Sequence, residues 1–344
     1  MRRVTSALIL SGLWIQIVAQ VPQFAVVRPN GTTQIFQSWA SAYAAALDDD
    51  FVYLPGTGIT GSIVINKRLH IFGAGHHPDS TSATSKTVFS GSISIYNGGS
   101  GGSLEGIAVN STVNLGNNGT KISNYTIKRC YINSNLLFGS SEVDSLPEYI
   151  NVTENVIYNI QGLVVPGPMN IVMERNLIRS QILNFEYCTF SNNDFLSPGI
   201  VFVNVNNSLL ENNIFLYSNP VPGDINCFNS IFNNLKIAYA DFEETPSCPI
   251  LGETGNIFVE SIDDIFISYN GSGDIYDDNY HLDPDCPGNN AGTDGTDVGI
   301  YGTNEPTPEG WVPSNPHIYF KDIAPSTDSD GRLHIQVGVR TEDD

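Results

Sequence analysis

Six short phrases recur through the middle of this chain: IKRCYIN, VTENVIYN, VMERNLIR, TFSNNDFL, LLENNIFL and CFNSIFNN. Aligned on Cys130, Asn155, Asn176, Asn193, Asn213 and Ser230, they step by 25, 21, 17, 20 and 17 residues. A rigid helical array has nowhere to absorb such changes in length, whereas the coils of a β-solenoid take up extra residues in their loops. Two positions after the alignment point stand Ile132, Ile157, Ile178, Phe195, Phe215 and Phe232. Three before it stand Ile127, Val152, Met173, Phe190, Leu210 and Cys227; five before it stand Tyr125, Ile150, Ile171, Cys188, Ser208 and Ile225. The last two columns are two residues apart, the strand period that points both side chains to one face. Coils stacked about 4.8 Å apart turn each column into an interior row. A single coil buries almost nothing, so the core arises only from stacking. The pattern predicts an all-β chain, a right-handed parallel β-helix with a short N-terminal capping helix.

The aligned asparagines fit tight bends between sheets, because asparagine tolerates left-handed backbone and bonds to nearby peptide groups. Stacked, their amides are expected to hydrogen-bond from coil to coil as a polar ladder. Cys188 and Cys227 fall in interior columns and Cys130 takes the place of a ladder asparagine, so all three read as buried, reduced thiols. Cys248 and Cys286 lie outside the clear repeat, where a clip between late loops is open.

Arg2 and Arg3 followed by the apolar stretch Ala7–Ala19 have the form of a secretory leader, too short for a membrane span. We therefore divide the chain into a signal peptide (1–19), a β-helix domain (20–303, repeats clearest over 101–260) and a proline-containing linker and tail (304–344). Ahead of the repeat, Ser38 is placed to cap an alanine-rich helix over Trp39–Leu47. The stretches FVYLPG and SIVINKRLHIFG read as strands broken by glycine turns. A solenoid needs such a cap, because its first coil exposes an apolar cross-section and unpaired strand edges.

The succession of helix, YLPG, SIVINK and LHIFGAG resembles the N-terminal cap of the pectin-lyase-like right-handed β-helix proteins. The later YHLDPDCPGNNAGTDGTDVGIYG is similar to the closing segment of secreted bacterial β-helix repeat proteins. The resemblance covers roughly residues 24–303 and implies the fold and an extracellular setting. It does not by itself imply an activity, since the superfamily holds lyases, hydrolases and binding proteins.

Charge narrows the partners. The chain carries 15 basic and 36 acidic residues, a net charge of −21. Such a surface repels nucleic acid and anionic membrane, so we expect neither nucleic-acid binding nor membrane insertion. It also repels polyuronates unless a divalent cation bridges the like charges. The motifs HG and RIK of polygalacturonase-like hydrolases are absent from the sequence, and Asp263-Asp264 in SIDDIFI reads as a strand edge.

The repeat offers one charged constellation. One position before the alignment point stand Arg129, Glu154 and Arg175 in consecutive coils, expected as a cation–anion–cation row on the outside of one sheet. In a lyase, an arginine there serves as base or carboxylate clamp while Glu154 binds calcium or orients it. As a surface ion-pair ladder, the row contributes only about 0–1 kcal/mol, and Arg175→Ala barely changes stability. In the acidic C-terminal run, Asp277 and Asp278 are candidate calcium ligands, although the spacing matches no EF-hand or nonapeptide loop. His76-His77 reads as a turn pair. The leading expectation is a secreted protein that binds carbohydrate or a cell-surface component without catalysis. The alternatives are a polysaccharide lyase-like enzyme and a structural spacer or adhesin module.

Overall fold

A computed structural model describes residues 22–116, 119, 121–139, 146–197, 201–216, 225–228, 231–233, 250–259, 261–271 and 273–341. The leader, Ser230 and Cys248 lie outside these residues, and for Cys227 only the backbone is described. Parallel strands stack coil upon coil into a β-solenoid with three faces. The first face runs from Asp50–Tyr53 through Leu69–Phe72, Ser103–Glu105 and Thr126–Lys128 to Ile250–Thr254. The second runs from Gly58–Ile59 to Ile257–Val259, and the third begins at Ile63–Ile65.

The columns read from the repeat are the registers of these sheets. Ile132 pairs with Ile157, Ile157 with Ile178, Ile178 with Phe195, Phe195 with Phe215, and Phe215 with Phe232. On the first face, Ile127, Val152, Met173, Phe190, Leu210 and Cys227 pair in the same order. Ile132, Ile157, Ile178, Phe195 and Phe215 are fully buried, as are Ile127, Val152, Met173, Phe190 and Leu210. Phe195 and Phe215 stack at 4.6 Å with their planes 8° apart, so the later interior becomes aromatic as the columns require.

The asparagine ladder forms where expected, and the bend falls one residue before it. Left-handed backbone falls on the residue before each described ladder position, at Arg129, Glu154, Arg175, Asn192 and Asn212, with φ between 50° and 58°, and on Gly106 one coil earlier at 67°. A second left-handed bend opens the coils at Asn124, Tyr149, Asn170, Tyr187 and Asn207. The ladder residues themselves hold the stack through their amides. The Oδ1 atoms of Asn176, Asn193 and Asn213 accept from the backbone N–H of the ladder residue one coil earlier, each at 2.9 Å. The Nδ2 groups of Asn155, Asn176 and Asn193 each donate to the next ladder Oδ1 at 3.0 Å. Four buried amides thus satisfy backbone groups that the bend removes from the sheets.

The N-terminal opening is closed as expected. The helix spans Trp39–Ala45, with the Ser38 hydroxyl accepting from Ser41 N–H at 3.2 Å. It ends two residues earlier than Leu47, where Lys67 Nζ donates to the carbonyls of Tyr43 and Ala46 at 2.6 and 2.7 Å. Ala42 and Ala46 enter the core, and Trp39 meets Phe89 edge-on. Phe24–Val27 lies antiparallel between Thr33–Phe36 and Asp50–Tyr53, covering the first strand edge.

The C-terminal region forms an outer layer. Side chains of the second face that point away from the interior, including Val156, Leu177 and Ile214, are fully buried. They form a second apolar core with Ile265, Phe266, Ile275, Tyr280, Val298, Ile300 and Trp311. From this layer the chain travels back along the left-handed corner, opposite to the direction in which the coils accumulate. Thr293 N–H donates to Asn212 Oδ1, Arg129 Nη1 donates to Val312 O, and Ser314 N–H donates to Glu105. The part of the tail read as an extended linker therefore lies against the coils as far as Ser314. Beyond it, His317–Ile323 and Ile335–Arg340 form an antiparallel hairpin, the second strand falling where LHIQVGV alternates.

Candidate functional site

The charged row assembles, but not on the outside. Glu154 Oε1 accepts from Arg175 Nη2 at 3.1 Å, and Glu154 Oε2 accepts from Arg129 Nε at 2.5 Å. Arg129, Glu154 and Arg175 retain only 2%, 3% and 8% of their accessible surface. The expectation of a solvent-facing ladder is thus corrected. The physical reason is the returning C-terminal segment, which sequence periodicity does not register. Val312 takes one guanidinium nitrogen of Arg129, and Pro313 packs so close to Gly106 that a Cβ there would meet its ring at 2.6 Å. Glu174 takes a second charge-assisted bond of Arg175 at 2.8 Å. With both Glu154 oxygens engaged and all three side chains buried, the row is an ionic clamp between coils and cover. A lyase requires these groups to reach a uronate, and here they face protein.

The acidic candidates separate. Asp277 is exposed at the end of the turn Ile275–Asp277, whereas Asp278 Oδ1 accepts the Asn270 N–H at 2.9 Å. Among the described residues no group of three or more His, Cys, Asp or Glu side chains converges as a metal site. Asp263-Asp264, read as a strand edge, lies instead in a 3-10 turn, Ile262–Asp264, because Ser261 caps the Asp263 N–H. Cys130 and Cys188 are buried free thiols whose pKa burial pushes up to about 12, so they are chemically quiet. Cys286 is also free and buried.

A different place has the form of a binding site. A cleft of about 530 Å³ opens where the turn after His76-His77, the outer layer and the hairpin meet. His281 stacks on Tyr301 with ring centroids 3.9 Å apart and planes 7° from parallel. His281 Nε2 lies 2.6 Å from Glu309 Oε1, which fixes the ring's orientation. Trp311 and Tyr276 also line it, tied to His77 by ring contacts at 6.0 and 4.8 Å. Behind them His76 is fully buried, its Nδ1 2.8 Å from the Tyr276 hydroxyl. Burial drives the His76 pKa down to about 3, so this imidazole is neutral and positions Tyr276. Asp79, Asp278 and Glu309 line the cleft with Arg340.

Only His77 and Asp278 of this lining stood among the residues singled out from the sequence. Tyr276, His281, Tyr301, Glu309 and Trp311 fall outside the repeat, with no common period, and meet only because the outer layer folds back. His281 and Tyr301 stand in the closing segment YHLDPDCPGNNAGTDGTDVGIYG, which has no period that would bring them together.

Fold and cleft together define a β-solenoid protein with a lateral C-terminal cover and an aromatic, acid-lined cleft beside it. No family model matches the chain, and no curated protein matches it. No helix among the described residues is long and apolar enough to cross a membrane.

Proposed function

We propose that the chain is an extracellular, pectin-lyase-like β-helix protein that binds carbohydrate, or a carbohydrate-bearing cell-surface component, without catalysis. The observation that carries this reading is the His281–Tyr301 platform held by Glu309 inside a cleft. A flat aromatic pair offers the apolar face on which a pyranose ring packs its C–H groups. Carboxylates, amides and hydroxyls at the rim supply partners for its hydroxyls. The lyase alternative loses its main support because Arg129, Glu154 and Arg175 are enclosed.

The test is a polysaccharide panel offered to the full chain with and without calcium, reading both retention and the absorbance of unsaturated ends. Saturable binding without product is expected. His281→Ala and Tyr301→Ala should each abolish binding and leave the melting temperature within a few degrees. Calcium-dependent release of unsaturated ends would replace this reading with a lyase.

A further inference from the structure

Taking the cleft as a glycan site, as proposed above, we infer that its preferred ligand is an amine-bearing sugar, a glucosamine-type oligosaccharide, rather than a neutral or uronic one. Three carboxylates line the cleft, those of Asp79, Asp278 and Glu309, against one guanidinium, that of Arg340. The guanidinium is already engaged, with Nε 3.1 Å from His317 Nε2 and its centre 5.4 Å above the Tyr319 ring. A uronate entering here meets an excess of negative charge, three carboxylates against Arg340 in the lining and Lys86 beside it, on a protein of net charge −21.

Lys86 Nζ sits 4.7 Å from the centroid of the Tyr276 ring and occupies that ring face, so the amine of a bound sugar is left to the carboxylates. Glu309 is the rim carboxylate best placed to select. Its side chain is 75% exposed while one oxygen is anchored to His281, the ring that forms the sugar platform. A carboxylate accepts about four hydrogen bonds, so the His281 contact leaves capacity for an ammonium on the bound sugar.

Calorimetry of the full chain with hexamers of glucosamine, N-acetylglucosamine, glucose (β-1,4-linked) and galacturonate separates the possibilities. The experiment uses mildly acidic buffer, in which the sugar amine is charged. The glucosamine hexamer should bind about tenfold tighter than the glucose hexamer, an advantage that shrinks as salt screens the exposed carboxylates. Glu309→Gln should bring the ratio of the two affinities close to one, whatever it does to both through the His281 ring that Glu309 orients. Equal affinity for glucosamine and glucose hexamers, or preference for galacturonate, overturns the amine selectivity while leaving the glycan reading intact. Absence of binding to all four overturns both.

Discussion

The buried glutamate at position 154 carries more of this molecule than its place in a surface-like pattern implies. It stands in left-handed backbone, φ 58°, where asparagine or glycine is the cheaper occupant. Arg129 and Arg175 occupy the equivalent bends at φ 50° and 51°. Three charged side chains at positions better suited to small or amide residues are there for what they contact, and they contact one another and the returning segment. Glu154→Gln removes the counter-charge that two buried guanidinium groups share, although Arg175 keeps its bond to Glu174. A loss of about 3–5 kcal/mol is expected, read as a lower denaturant midpoint at unchanged slope. The same reasoning replaces the expectation that Arg175→Ala is neutral. A loss under about 1 kcal/mol from either change would return the row to the status of a surface pair.

Asp194 shows the opposite case, a buried acid without a cation. It sits on the outward side of the second face, under the cover, and its Oδ2 makes no hydrogen bond among the described residues. The other oxygen accepts only a long 3.3 Å bond from the Ile300 N–H. Burial raises its pKa well above the ordinary 3.8, with the Ile300 bond opposing weakly. A carboxyl whose folded pKa is raised stabilises the fold fully below its unfolded pKa, and that contribution is lost as pH rises toward the folded pKa. Asp194→Asn should therefore match the wild type below about pH 4 and melt higher than it at neutral pH. Coincident melting curves at both pH values would show that the carboxyl is solvated after all.

Within a coil, the sequence was legible wherever a side chain repeats with the stack. Every described pairing in the columns that begin at Ile132 and Ile127 follows the alignment, because an inward residue is constrained by the one above and the one below. The bend was misplaced by one residue. Asparagine suits both left-handed backbone and amide stacking, and composition alone does not say which role it takes. The structure gives the bend to the preceding residue and the hydrogen bonds to the ladder. Asn193→Ala tests this division. It strands the Asn176 backbone N–H, the Met173 carbonyl and one acceptor site on Asn213, all in the buried corner. At about 1–3 kcal/mol for each stranded group, the loss should exceed that of a typical core methyl deletion. Asn192→Gly, one residue earlier in left-handed backbone, should cost no more than a few tenths of a kcal/mol through the backbone. A larger effect there reports the loss of its side-chain bond to Gly299.

At the scale of the whole molecule, the cover was illegible because it has no period and its partners lie far away in sequence. Arg129 and Val312 are 183 residues apart, and Glu105 and Ser314 are 209 apart. The outward residues Val156, Leu177 and Ile214 read as ordinary sheet exterior until the layer carrying Ile265, Phe266 and Ile300 is placed on them. The same layer brings together the cleft, so stability and binding share one element. The hairpin gives Arg340 to the cleft lining, while Tyr319, Ile323, Ile335, Val337 and Val339 are exposed on its two paired strands. Two truncations distinguish the roles. Ending the chain after Asn315 removes the hairpin and keeps every bond from Thr293 to Ser314, so unfolding should stay cooperative with little change in midpoint. Ending it after Ser261 bares the second core at about 1.5–3 kcal/mol for each large apolar side chain uncovered. That protein should bind a hydrophobic dye and lose a sharp transition. If the longer truncation instead melts as sharply as the full chain, the solenoid stands alone, and the ionic clamp under Val312 contributes to the cleft rather than to the fold.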